Sequence, residues 1–397
     1  MKRLSLVMPV LFSGIACSSS SGVTADAAAN ADARTLADAP DDLAANDDVA
    51  VAVIADASPL TDVPLASILP VSYVGLSTAA GAIRVDDIRF AQQLQQVLIP
   101  TGAVLQLYDP STQAVAVVTG FGTTDAGATG SAGLDASAAD AGALDTGRSA
   151  ASGTSSADQG QNLIYAIDKK LVAVDVVDPA AGMIVAQGIL ASAPDIVRAV
   201  PSAQEVWVTQ PSDQRIEILS TALATPVHAG FAATPGGPEA LVIDASRGHA
   251  YTNAATATLV VDIHTRGVVA TWNNGCAGAR GMTLDESHGI LLVACAEGKI
   301  VALDLASNGT ITSTIDLPSG LDLIEFSTEL RHVYAPASGG TLSVVGVSVS
   351  GQLTLLGTGG GAPSAHSVAV DQQGHVYLVD GAKSRLAVFT DTYAATN

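Results

Sequence analysis

Short apolar segments return along this 397-residue chain at a nearly constant interval. "HAYTNA" (249–254), "HVYAPA" (332–337) and "HVYLVD" (375–380) each carry a large residue two positions after a histidine. Aligning on that central residue gives Leu98, Tyr165, Trp207, Tyr251, Leu292, Tyr334 and Tyr377, spaced by 67, 42, 44, 41, 42 and 43 residues. A second series follows it, of apolar-x-apolar-apolar form, and four of its members end in Asp, at Asp109, Asp175, Asp262 and Asp304.

A period near 42 residues, built from short Val/Ile/Leu-rich runs with Gly, Pro and Asn between them, predicts a β-propeller. In the best-formed unit, "PEALVID" (238–244) is the inner strand and "HAYTN" (249–253) the second, with "TLVVD" (258–262) third and "GVVATW" (267–272) outermost. Such a sheet cannot bury both of its faces alone, so units stack around an axis. Seven central residues predict seven blades in an all-β fold of four-stranded antiparallel sheets. The last unit lacks a fourth strand, and "VSYVGL" (71–76) lacks a blade. We expect it to be the outer strand of blade seven, closing the ring and removing open edges. Blade two's inner strand should fall near 150–158, where the sequence is polar. His249, His332 and His375 then occupy one position on three separate blades, which argues against a shared metal.

Two segments interrupt the pattern. Residues 17–64 are read as a disordered acidic Ala/Asp-rich tether, and an insert at about 122–160 as a second disordered stretch, because neither buries enough apolar surface to offset its ordering entropy. From residue 18 onward these segments hold fourteen Asp against Arg34 and Arg148, hence twelve of the chain's 21 net negative charges. The acidity belongs largely to linkers and is no sign of a cation site. It also argues against nucleic acid, whose phosphates need a Lys/Arg surface. The propeller is assigned to residues 65–397 apart from the insert.

The first residues read as an export signal: Lys2 and Arg3, then a thirteen-residue apolar run over 4–16, too short to span a bilayer. "SGIAC" (13–17) resembles a bacterial lipobox, which implies a lipid anchor on Cys17. Gly14 and Ala16 also present the small-x-small spacing of an ordinary signal-peptidase site. Ser18 after the cysteine resembles lipoproteins sorted to the outer membrane. With Cys17 set aside, Cys276 and Cys295 are an even pair in an oxidising compartment. They flank the inner and second strands of blade five, whose ends meet on the axial face, so a disulfide is expected. Two separate thiols are the alternative.

"WVTQ" (207–210) and "YTN" (251–253), each followed by an apolar strand, resemble the repeats of YVTN-type seven-bladed propellers of exported bacterial proteins. "HSVAVDQQGHVYLVDGAKSRLAVF" (366–389) is also similar to NHL and SMP-30-type repeats. The resemblance implies a fold and leaves the chemistry open, since its members include binding proteins and lactonases. Propeller sites commonly lie at the axis, where inner strands begin and second strands end. Here Asp195, Glu239, Arg280, Asp322 and His366 stand at inner-strand starts, and Asp168, Gln210, Asn253 and Asp380 at second-strand ends. Carboxylates gathered there could perturb one another or hold a divalent cation. The lactonase resemblance calls for Glu, two Asn and Asp as metal ligands, and Glu239, Asn253 and Asp380 are its partial match. No G-x-S-x-G, P-loop or H-E-x-x-H motif occurs. The leading expectation is a non-enzymatic binding or scaffold module at the cell envelope, with no cofactor, whose axial face takes a protein or carbohydrate. A metal-dependent hydrolase is the alternative.

Overall fold

The computed structural model describes residues 68–77, 83, 85–123 and 153–397. The expected leader, Cys17, the tether and most of the insert lie outside the described residues. The described residues form seven separate four-stranded antiparallel sheets. Each inner strand touches the inner strands of the sheets on either side, and the series closes on itself. This is a seven-bladed β-propeller.

Closure is made by Pro70–Gly75, which pairs antiparallel with Arg385–Thr390 as the outer strand of blade seven. Tyr73 lies opposite Ala387 and Val74 opposite Leu386. The Arg385 guanidinium sits 3.5 Å from the centre of the Tyr73 ring, adding a cation–π contact to the join.

Seven apolar clusters hold the ring together, one between each pair of adjacent blades. Leu292 and Ala294 of blade five pack with Val333 and Ala335 of blade six, while Leu291 and Val293 turn the other way, toward Tyr251 and Val260 of blade four. Successive residues of a strand face opposite sides, so a strand sandwiched between two blades must be apolar at nearly every position. That is why the second and third strands read as continuous hydrophobic runs. Each fully buried Leu, Ile or Val adds about 1.5–3 kcal/mol.

The repeated His-x-Tyr has a structural explanation. His375 Nδ1 lies 2.8 Å from Asp371 Oδ2, and the Tyr377 hydroxyl donates to the same oxygen at 2.7 Å. Asp371 directly follows blade seven's inner strand, Ala369–Val370. In blade four the Tyr251 hydroxyl reaches Asp244 at 3.3 Å. Ser327 stands opposite His332 in blade six, as Asp244 stands opposite His249 in blade four. Blade six receives its carboxylate from elsewhere: Asp391, past the last strand, lies 2.7 Å from His332 Nδ1 and accepts from Tyr334 at 2.6 Å.

Two boundaries differ from the sequence expectation. Blade two's inner strand is Thr154–Gly160, so the insert ends before residue 153, earlier than its composition suggested. These polar residues are buried because the axis offers them partners: Ser156 Oγ donates to Asp87 Oδ2 at 2.6 Å and accepts from the Val197 amide at 3.1 Å. The third strand of blade two is Ala173–Asp178, so the Asp that ends it is Asp178, three residues beyond the expected Asp175. Asp178 takes the turn role of Asp109 and Asp262, accepting the amides of Ala180 and Ala181. Asp175 falls inside the strand and is buried.

Cys276 and Cys295 form the disulfide, with Cα atoms 5.3 Å apart. Closing a loop across 19 positions contributes about 3 kcal/mol in the chain-entropy picture.

Candidate functional site

At the mouth where the inner strands begin, charged residues succeed one another around the axis. Asp86 enters blade one, Asp195 blade three, Glu239 blade four, Asp322 blade six and His366 blade seven, and Arg280 starts on the inner strand of blade five. Blade two supplies no such residue from its inner strand. Its place is taken by Lys169, from the turn after its second strand Leu163–Asp168.

These groups pair across blade boundaries. Lys169 Nζ bridges blades one and three, 3.4 Å from Asp86 Oδ2 and 3.1 Å from Asp195 Oδ1. Arg280 Nη1 is 3.0 Å from Glu239 Oε2, joining blades five and four. His366 Nδ1 is 3.4 Å from Asp322 Oδ2, joining seven and six. The ring therefore resolves into three clusters of paired side chains, each partly open to water, in which the Lys and Arg ion pairs are worth about 0–1 kcal/mol each. Asp195, Glu239, Arg280 and Asp322 line one small cavity with Asp86 and Asp87, of about 20 Å³, little more than room for one water molecule.

Its floor is a buried ion pair. Arg198 Nη1 lies 2.7 Å from Asp87 Oδ2, and Nη2 3.4 Å from Oδ1. Beside the ring, His366 also borders a larger cleft of about 420 Å³ with the apolar side chains of Ile83, Val85, Pro363 and Val379.

The residues at second-strand ends do not join this mouth. Asp168 is buried and accepts the amides of Gly122, Lys170 and Leu171, fastening the turn that carries Lys169. Gln210 is fully buried and bonds Glu217 at 2.6 Å and Arg215 at 2.7 Å. Asn253 donates to the Arg280 carbonyl at 2.7 Å and accepts from Thr258 at 2.9 Å. Asp380 holds Arg385 at 3.0 Å within blade seven. Asn253 thus positions the backbone of Arg280, Asp168 joins blade two to the segment that follows blade one, and Gln210 and Asp380 bond within their own blades.

A metal reading needs ligands that converge. Among the described residues, the one group of three His, Cys, Asp or Glu within reach of a single ion is Cys276, Cys295 and Glu297. Its sulfurs are committed to the disulfide, and the Glu297 carboxylate accepts the amides of Ala277 and Gly278. Glu239 lines the mouth, but Asn253 and Asp380 do not.

Lys169 is not marked by the repeat pattern because it lies one residue beyond the second strand, in the turn that follows it. Its position after Asp168, in "DKK", was the available signal.

No family model matches the chain, and no curated protein matches it. Solved structures do. A chain of the Mitotic Checkpoint Complex is similar at TM-score 0.66 and 12% identity, covering 90% of this chain and 99% of that one. The β-propeller domain of Cps50 (Swd1) from Myceliophteria thermophila is similar at TM-score 0.61 and 12% identity, over 81% of this chain and 100% of that one. A chain of Kuenenia stuttgartiensis Hydrazine Synthase gives TM-score 0.60 and 11% identity, over 80% and 98%. At such identities the likeness is one of fold.

Proposed function

We propose that this protein is an exported, lipid-anchored propeller of the YVTN type that acts as a non-enzymatic binding module at the cell envelope, docking a protein partner on the axial mouth. One observation carries the reading: the carboxylates lining the mouth are already engaged by basic side chains, Asp86 and Asp195 by Lys169, Asp87 by Arg198, Glu239 by Arg280 and Asp322 by His366, around a cavity of only about 20 Å³. Such a surface has little room for a substrate and, among the described residues, no converging ligand set, yet it is polar and strongly patterned in charge. The apolar cleft next to His366 offers an anchor pocket beside that patterned rim.

The structural neighbours include both a chain of a checkpoint assembly and a chain of an enzyme. Fold alone does not choose between those uses.

The test is photocrosslinking in intact cells. A crosslinker at Asp322 or His366 yields one discrete adduct that a crosslinker at Val269, on the outer strand of blade four, does not. Equal labelling from all three positions, or none from the mouth, rejects the axial docking site. Intact mass of the membrane-extracted protein separately tests the anchor, which requires diacylglycerol on Cys17.

A further inference from the structure

The Asp87–Arg198 pair divides the axial channel. Asp87 lines the mouth cavity, whereas Arg198 lines a second cavity of about 350 Å³ among the inner strands themselves. The two walls of this lumen differ in chemistry. Blades four and five present Leu241, Val242, Ile243, Met282 and Leu284. Blades one, two and six present Arg89, Asp158 and Glu325.

The charged wall is incompletely satisfied. Arg89 Nε is 3.2 Å from Asp158 Oδ1, and Asp158 Oδ2 accepts the Ala199 amide at 2.9 Å. Glu325 Oε1 accepts from Thr283 Oγ1 at 3.1 Å and the Phe326 amide at 3.2 Å. Glu325 Oε2 lies 3.8 Å from Arg89 Nη1, beyond hydrogen-bond reach. Among the residues that line the lumen, Arg89 and Arg198 face Asp158, Glu286 and Glu325, two positive charges against three negative.

Two independent features therefore point to an occupant. Val242, Ile243 and Leu284 are only half-buried, leaving apolar surface exposed in the lumen. Opposite them, Glu325 Oε2 makes no hydrogen bond to a described residue and meets Arg89 only at ion-pair distance, in an excess of negative charge. A bare divalent ion is disfavoured because the Arg89 guanidinium already stands between the two carboxylates. We propose that this lumen binds a small organic monocation, with its ammonium group donating to Glu325 Oε2 and its hydrocarbon body against Val242, Ile243 and Leu284. An apolar cavity wall with one fixed polar contact is the usual construction of a small-molecule site.

The test compares three probes of equal chain length, n-hexylammonium, n-hexanol and n-hexanoate, by calorimetric titration into the full-length protein at low ionic strength. The ammonium binds at least tenfold more tightly than the alcohol, and the carboxylate more weakly than either. Glu325→Gln abolishes the ammonium's advantage but leaves hexanol binding unchanged. Leu284→Asn, on the other wall, weakens hexylammonium and hexanol alike, so the two walls are read separately. Preference for hexanoate, an ammonium advantage that survives Glu325→Gln, equal binding of all three probes, or binding of none overturns the assignment.

Discussion

Asp391 Oδ2 lies 2.7 Å from His332 Nδ1, and both side chains are fully buried. The second ring nitrogen, Nε2, is 3.1 Å from the Ala394 carbonyl oxygen, so both nitrogens of one imidazole face acceptors. A short C-terminal segment therefore clasps blade six, and the Thr396 amide extends the clasp to the Leu330 carbonyl. Replacing Asp391 by Asn should destabilise the protein by about 1–3 kcal/mol, the cost of weakening the buried hydrogen bonds that His332 and Tyr334 make to an ionised carboxylate. Denaturant unfolding measures the loss, and hydrogen exchange at residues 391–396 should accelerate with it. Adding Ser327→Asp, which places a carboxylate opposite His332 as Asp244 stands opposite His249, should recover part of the loss.

The same contacts set an acid limit. Burial alone would push the Asp391 carboxyl up, but the hydrogen bonds from His332, Tyr334 and the Tyr393 amide outweigh it and hold the group below the ordinary carboxylate range. Asp285 is held down similarly, with burial opposed by Ser287, His288 and Arg331. A folded-state value below the unfolded one means that the contribution is complete above the ordinary carboxylate range and fades as pH falls through the depressed value. Melting temperature should therefore drop steeply below about pH 4, and less steeply in the Asp391→Asn variant.

Asp175 works in the opposite sense. Burial is the main cause that pushes its carboxyl up to about 7, the Gln187 amide at 2.7 Å opposes the shift, and Asp168 adds to it. Its Oδ2 is buried and makes no hydrogen bond to a described residue. Because the folded value is raised, stability should fall as pH rises from about 4 toward 7 and level off above. Asp175→Asn should leave the melting temperature near pH 4 unchanged and raise it at pH 8.

The Asp87–Arg198 pair should behave as a unit. Arg198→Met alone should cost about 3–5 kcal/mol, while Asp87→Asn with Arg198→Met should cost clearly less than the single change. Equilibrium unfolding of the two single variants and the double variant checks the coupling.

Reduction of Cys276–Cys295 should lower unfolding stability by about 3 kcal/mol without changing the fold. Far-UV circular dichroism and urea unfolding, with and without reductant, separate the two effects. A Cys276→Ser/Cys295→Ser variant should be insensitive to the reductant.

Periodicity carried most of the architecture. The large residues at 98, 165, 207, 251, 292, 334 and 377 each lie on a second strand, where burial between two blades leaves little freedom of residue type. The closing strand was legible because an unpartnered apolar run at one end matched a missing strand at the other. Blade two was less so: a strand at the axis is satisfied by polar neighbours, and "TSSADQG" looks like linker when read alone. The slip from Asp178 to Asp175 arose because "LVAVD" and "VDVVD" both fit the apolar-x-apolar-apolar-Asp pattern. In the mouth, register located the inner-strand starts but not which way second-strand ends turn. Asp168, Gln210, Asn253 and Asp380 each meet a donor or acceptor close at hand, and such local bonding is invisible to a repeat alignment.

The strand Pro70–Gly75 also has a mechanical consequence. It lies on the rim of blade seven, in register with residues 385–389. Tension applied at Pro70 along the direction of the strand acts on all its backbone pairs together and does not unzip them one at a time. The element that completes the ring is thus also the one that bears any load arriving from the N-terminal side, and the first to yield would break the circle rather than shed a blade.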